Sequence, residues 1–229
     1  MPFDGEGLDG LLRARSKQLS GIVNGIDYNV YNPKTDKDIA VNYSVEDVIK
    51  AKAANKTALQ KELGLEENPD AFMLGIVSRL TDQKGLDLVE CVLDQICAED
   101  VQLVVLGTGE GKYQDMFTYY SRKYPERVSA NIFYSEALSH RIYASCDAFL
   151  MPSLFEPCGL SQLMSLRYGT LPIVRETGGL RDTVTPYNEV DGTGTGFSFT
   201  NYNAHEMLAI IRYAKKTYFN DRRAWNEMV

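Results

Sequence analysis

From about Ala71 onward, short apolar runs alternate with longer stretches whose apolar positions recur every three or four residues. The short runs Phe72–Val77, Gln102–Leu106, Val128–Tyr134, Ala148–Met151, Leu171–Val174 and Gly196–Phe199 predict six strands. Between them, Leu86, Val89, Val92, Leu93 and Ile96 make one helical stripe, and Leu160, Leu163, Met164 and Leu166 make another. The stretch Ala204 to Tyr218 repeats the pattern with Met207, Leu208, Ile211 and Ala214, and Asn203 is its N-cap. Such alternation predicts a mainly parallel sheet covered by helices on both faces, so the expected fold class is α/β, doubly wound. Ligands of such sheets bind beyond the carboxyl ends of the strands.

The first seventy residues read differently. Gly10 to Ser20 carries Arg13, Arg15 and Lys17, and the run Ser20 to Asp27 (S-G-I-V-N-G-I-D) predicts a short strand ended by turn residues. Asn32-Pro33 breaks the chain, Lys34 to Asn42 is polar, and a helix is expected from Ser44 to about Leu63 with Glu46 in a capping position.

Chemistry concentrates in the loops after the predicted strands. The run F-E-P-C-G-L-S-Q, Phe155 to Gln162, and the run T-G-G-L, Thr177 to Leu180, each turn a strand into a helix. Two helix starts with free N–H groups would converge there on one anion, such as a sugar diphosphate. Glu156 would accept hydrogen bonds from hydroxyls. Gly159, Leu160 and Ser161 would offer N–H groups and a hydroxyl, and Thr177 and Gly178 would complete the cradle. Cys158 stands where a helix start favours a thiolate, but without a neighbouring histidine in sequence it is not read as a nucleophile. Arg175 and Arg181 beside the second turn read as surface salt bridges.

The run Ser78 to Gly85 (S-R-L-T-D-Q-K-G) puts Arg79 and Lys84 at the end of the first strand. Alone, such a pair is an ordinary solvated loop; beside the other two loops it reads as a diphosphate site. Gly107 to Lys112 (G-T-G-E-G-K) fails both the P-loop spacing and the dinucleotide fingerprint, so its glycines are read as strand-to-helix turning. Tyr134 is an aromatic at a strand end, where it would be a rim residue or a base-stacking one.

Composition narrows the classes. A net charge of −7 and a pI near 5.0 argue against nucleic acid or an anionic membrane as partner. No apolar run approaches the ~18 residues of a membrane span, and the polar start Met1 to Gly10 has no signal-peptide core. Cys91, Cys97, Cys146 and Cys158 stand singly, which suits a reducing compartment, and Cys91 and Cys97 read as helix-core residues. His140 is read as structural. Neither it nor His205 completes a zinc motif, so no zinc is expected, and no Asp-x-Asp pair adjoins a strand.

The order and spacing of the Glu156 and Thr177 motifs resemble the nucleotide-sugar domain of bacterial glycogen synthases and plant starch synthases, from about Gly7 to nearly the whole chain. The resemblance implies a Rossmann-like fold, the C-terminal half of a two-domain GT-B enzyme that transfers glucose from ADP-glucose to the non-reducing end of an α-1,4-glucan with retention. It implies diphosphate contacts from Arg79 and Lys84, a hexose contact from Glu156, adenine against Tyr134, a site-lining Cys158, and no cofactor besides the donor and its product ADP. Many relatives of this architecture carry a second glutamate eight residues after the first, where this chain has Met164. By the same resemblance residues 1–27 close the acceptor-side domain and form the linker, and residues 28–229 form the nucleotide-sugar domain without the final crossover helix. The first domain's donor loop, histidine and acceptor surface have no match, so the expectation is an isolated, catalytically silent half from a bacterial cytosol rather than a plastid. Its partners would be ADP-glucose, α-glucan and the missing N-terminal domain. The alternatives are a GT-B enzyme using a UDP-sugar and a non-catalytic nucleotide-binding module; a nicotinamide dehydrogenase ranks third.

Overall fold

The computed structural model describes residues 7–229; residues 1–6, which include part of the polar start and of the expected first domain segment, lie outside the described residues. Six parallel strands, β1 (Phe72–Val77), β2 (Val101–Leu106), β3 (Val128–Asn131), β4 (Ala148–Met151), β5 (Leu171–Arg175) and β6 (Phe197–Phe199), form one sheet in the order β3-β2-β1-β4-β5-β6. The helices are α1 (Asp9–Ala14), α2 (Val48–Leu63), α3 (Leu86–Ala98), α4 (Gly111–Lys123), α5 (Glu136–Ser145), α6 (Ser161–Arg167), α7 (Gly178–Thr183), α8 (Ala204–Asn220) and α9 (Arg222–Met228). The α/β doubly wound expectation holds. After β3 the chain returns to the other side of β1, which creates a switch point between β1 and β4 where a ligand crevice opens.

The periodicity explains most of the packing. Leu86, Val89, Val92, Leu93 and Ile96 on α3 and Met207, Leu208, Ile211 and Ala214 on α8 are all buried, against one face of the sheet. Asn203 caps α8, its Oδ1 accepting from the N–H groups of His205 and Glu206 at 2.9 and 3.0 Å.

Four local expectations need correction. Residues 20–27 form no strand; they run as irregular, mostly exposed backbone with Ile26 half-buried, and among the described residues no strand pairs with them. The helix expected from Ser44 begins at Val48, after a turn in which Asp47 Oδ1 accepts from the Ser44 N–H at 2.7 Å. Cys91 is exposed on α3, whereas Cys97 is buried. On α6 the buried side chains are Gln162 and Ser165, while Leu160 is exposed and Leu163, Met164 and Leu166 are half-buried. The reason is Gln162, whose Nε2 donates to the carbonyls of Cys158 and Gly159 and to Thr183 Oγ1, each at 3.1 Å. It faces inward to tie the preceding loop to α7.

At the opposite end of the sheet from the crevice lies a buried charge network. Lys56 Nζ meets Asp147 Oδ2 at 2.7 Å, and the same oxygen accepts from the Met73 N–H at 2.8 Å. One turn earlier on α2, Lys52 Nζ donates to the carbonyls of Ala144 and Tyr168, each at 3.2 Å, and to Thr170 Oγ1 at 2.7 Å. Lys52 thereby caps the far ends of α5 and α6.

Burial pushes the Lys52 ammonium down to about 7 from its ordinary 10.5, outweighing the attraction of Asp147. Above pH 7 the native state releases a proton that the unfolded chain keeps until about 10.5, so stability from this group rises with pH across that window. Cys146, pushed up to about 12 from 9.0 by burial, opposes it above pH 9. Urea titrations at pH 7 and pH 9 are therefore expected to show the protein gaining stability on the order of 1 kcal/mol per pH unit relative to Lys52→Met.

Candidate functional site

The loops at the carboxyl ends of β1, β2, β4 and β5 lock onto one another. Leu80 N–H donates to the Thr108 carbonyl at 2.8 Å and Glu110 N–H to the Leu80 carbonyl at 2.7 Å, which zips the Arg79 loop to the glycine run after β2. Gly107 has φ +157°, and a Cβ there would stand 1.9 Å from the Ser78 carbonyl oxygen. Its role is this close approach of two backbones rather than phosphate capture. Asp82 finishes the clasp: Lys112 Nζ and the Tyr113 hydroxyl each reach Asp82 Oδ1 at 2.5 Å, and the Lys112 and Tyr113 hydrogen bonds hold its carboxyl below the usual carboxylate range.

Within this frame Glu156 is buried at 8 % exposure and pairs with Lys84, Oε2 to Nζ at 2.5 Å. The Ser153 hydroxyl donates to the same oxygen at 3.3 Å. The Glu156 backbone carbonyl accepts from the Gly179 N–H at 3.0 Å, so the turn before α6 and the turn before α7 are in direct contact. Gly178 makes that contact possible: it sits at φ +43°, and a Cβ would lie 2.1 Å from the Glu156 carbonyl oxygen. The two glycine turns thus meet each other, and the Gly179 N–H is spent on that contact. The N–H groups of Gly159, Leu160, Ser161 and Gly178 meet no acceptor among the described residues. α6 and α7 are only seven and six residues long, so these local donors, rather than a long helix dipole, are what the turns present.

Two clefts flank the end of β1. One, of about 270 Å³, lies between the loops after β1 and β2 and the start of α5; Gly107, Thr108, Phe133, Tyr134 and Tyr143 are among its walls. The other, of about 220 Å³, lies between β1 and β4 and is lined by Lys84, Pro152, Ser153 and Ser161. Val77, Ser78 and Arg79 belong to both, so Arg79 stands at their junction. Its side chain is exposed, and among the described residues its one hydrogen-bond partner is Gln83 Oε1, at 3.3 Å. Tyr134 is 85 % exposed at the rim of the larger cleft. β3 stops at Asn131, whose carbonyl is taken by the Gly107 N–H, and the released backbone carries Phe133 and Tyr134 to the opening instead of continuing the strand as expected.

Cys158 is half-buried, and its Sγ accepts from the Asn24 N–H at 3.1 Å, which lays the irregular segment before residue 28 against the Glu156 loop. Thr177 adopts the extended conformation that precedes α7. Of the ten residues expected at the site, Arg79, Lys84, Tyr134 and Ser161 line these clefts, Glu156 pairs with Lys84, and Cys158, Gly159, Leu160, Thr177 and Gly178 lie on or beside the turns that open α6 and α7 and line neither cleft.

Some contributors had no signal strong enough to single them out. Gln162 anchors the loop from inside. Arg175, read as a surface salt bridge, instead donates from Nε to the Ser153 carbonyl at 2.9 Å and from Nη2 to the Leu154 carbonyl. His140, read as structural, is buried: its Nδ1 is 2.6 Å from Asp36 Oδ2, which also accepts from the Tyr168 hydroxyl, and Tyr31 stacks on its ring. Asp36, Asp38 and His140 bring ligand-type atoms within 4.8 Å of one another, but Asp36 is already spent on these hydrogen bonds and on the Asp38 N–H. Among the described residues no helix is long and apolar enough to cross a membrane.

The architecture has close counterparts. The catalytic domain of starch synthase IV from Arabidopsis thaliana, bound to ADP and acarbose, superposes with a TM-score of 0.92 at 34% identity over 100% of this chain and 48% of that one. Glycogen synthases of Lachnospira eligens and Lachnoclostridium phytofermentans are 71% and 66% identical to it. Each match covers 100% of this chain and 48% of the relative, so the chain spans about half the length of the curated relatives it matches. Its fold is that of one half of a GT-B glycosyltransferase. The family model described as glycosyl transferases group 1 matches residues 56–228, from the middle of α2 through α9, and the chain belongs to that family.

Proposed function

We propose that the chain is the donor-binding domain of a glycogen or starch synthase, handling ADP-glucose for transfer of glucose to the non-reducing end of an α-1,4-glucan with retention. One observation carries the reading: Arg79, Lys84 and Ser161 line the cleft between β1 and β4 at the switch point, with Glu156 paired to Lys84 and with N–H groups of residues 159–161 and 178 on the adjoining turns left without an acceptor among the described residues. A nucleoside diphosphate-hexose matches that order. The base would lie in the larger cleft against Tyr134, the diphosphate across Arg79 and Lys84, and the hexose beside Glu156.

In the reaction the bond from the anomeric carbon to the diphosphate oxygen breaks while the acceptor hydroxyl oxygen bonds to the same face of that carbon. The acceptor proton passes to the departing phosphate oxygen. Arg79 and Lys84 stabilise the charge developing on that leaving group, which is where positioned cations lower a barrier most. Glu156 accepts from hexose hydroxyls and orients the ring. A lone carboxylate already paired to Lys84 suits that task better than nucleophilic attack, and position 164 is Met164. No cofactor is invoked.

The acceptor glucan would bind a facing domain, with residues 1–27 as the approach to it and residues 28–229 as the donor half, so this half by itself would bind donor without turnover. The four unpaired cysteines suit a bacterial cytosol.

Calorimetric titration with ADP, UDP and ADP-glucose tests the reading. ADP is expected to bind saturably and more tightly than UDP, because adenine offers Tyr134 the larger stacking face. Tyr134→Ala is expected to weaken ADP by about tenfold, corresponding to the ~1–3 kcal/mol of one base–aromatic stack. Absence of binding by all three ligands at millimolar concentration defeats the donor-site reading, and tighter UDP binding redirects it to a UDP-sugar enzyme.

A further inference from the structure

The loop that carries Glu156 is held from behind by a cation that the preceding reading leaves without a task. Arg175 is the last residue of β5, and among the described residues no carboxylate lies within ion-pair distance of it. Its guanidinium spans two consecutive main-chain carbonyls, with Nε on Ser153 at 2.9 Å and Nη2 on Leu154. Those carbonyls belong to the residues two and three places before Glu156, and Ser153 also hydrogen-bonds the Glu156 carboxylate.

The brace extends further on both sides. Tyr202, in the loop between β6 and α8, packs its ring 5.6 Å from the Arg175 guanidinium carbon, and its hydroxyl donates to Asp87 Oδ1 at 2.5 Å. Asp87 lies three residues after Lys84, in the first turn of α3. Leu154 N–H donates to the Gln83 carbonyl at 2.9 Å, and Gln83 Nε2 to the Phe155 carbonyl at 3.3 Å. Arg175 and Tyr202 thus connect, through separate contacts, to the two chain segments that deliver Glu156 and Lys84. A planar fork of N–H donors can hold two carbonyls at a fixed spacing; a single-point cation cannot.

We propose that Arg175 is a positioning residue that, seated on Tyr202, sets the loop of residues 153–156 so that the Glu156 carboxylate meets the hexose while paired to Lys84. The proposal rests on the donor-site reading for its hexose and on the hydrogen bonds alone for its geometry. It is distinct from a direct contact of Arg175 with the diphosphate, which would act on ADP and ADP-glucose alike.

The test uses Arg175→Met and Arg175→Lys in two measurements. In amide hydrogen exchange, Arg175→Met is expected to speed exchange at Leu154 and Gly179, whose N–H groups bond Gln83 and Glu156, by about tenfold or more, with Ile173 in β5 unchanged. Arg175→Lys should fall between. Unaltered exchange at both amides overturns the brace whether or not any ligand binds. In titrations, Arg175→Met is expected to lose about tenfold in affinity for ADP-glucose while ADP affinity stays within twofold, the loss of one charge-assisted hydrogen-bond pair expressed at the hexose. Equal losses for both ligands overturn positioning in favour of direct diphosphate contact. A wild-type chain that binds ADP and ADP-glucose equally refutes the hexose role of Glu156, and the exchange measurement then still decides the brace.

Discussion

Removing both cations at the end of β1, by Arg79→Ala with Lys84→Ala, is expected to reduce ADP affinity by at least about a hundredfold. A charge-assisted hydrogen bond to a phosphate oxygen is worth about 1.5–3 kcal/mol, and two are lost. A further cost comes from Glu156: without Lys84 its carboxylate faces the crevice uncompensated and repels the incoming diphosphate. The single variants separate these effects. Arg79 is exposed and, among the described residues, bound only to Gln83, so Arg79→Ala should weaken ADP and leave the melting temperature unchanged. Lys84→Ala should weaken ADP and also lower the melting temperature, because a buried carboxylate loses its partner. The two effects share one ligand, so their sum is not expected to be additive. Retention of ADP binding within tenfold in the double variant would remove the diphosphate from this end of β1.

Much of the fold was legible because a doubly wound sheet writes itself into short apolar runs, and the six strands expected after Ala71 are the six observed, with β3 ending three residues early. Legibility failed where tertiary partners override local pattern. Gln162 points inward on α6 although Leu160, Leu163 and Leu166 make the better stripe, because unsatisfied loop carbonyls of Cys158 and Gly159 claim its amide. Residues 20–27 have strand-like composition and no strand to pair with. At the site, Glu156, Arg79 and Lys84 could be named because they stand in motifs on loops after strands whose order and spacing resemble a known family; read singly, each passes for an ordinary cap or solvated charge. Arg175 could not, since an arginine after an apolar strand carries no mark of whether it meets a carboxylate or two carbonyls 22 and 21 residues away in the chain.

Glu156→Gln isolates the hexose from the rest of the donor. The substitution keeps the side chain's shape, and its Oε1 can still accept from Lys84 and Ser153, so the loop and its Gly179 contact should persist. What changes is charge. Lys84, relieved of its internal counter-ion, becomes more available to a phosphate, and ADP is expected to bind as tightly as before or more so. The hexose loses a charged acceptor for its hydroxyls, worth about 1.5–3 kcal/mol, so any preference for ADP-glucose over ADP should vanish. When the domain is joined to a facing acceptor domain, glucose transfer should fall on the order of a hundredfold, because that orientation is needed most as the anomeric bond breaks. Opposite responses of ADP binding and transfer cannot arise from a loosened fold, which would depress both. Equal losses in the two measurements would instead assign Glu156 to holding the loop, and the hexose contact would have to be sought among the N–H groups of residues 159–161.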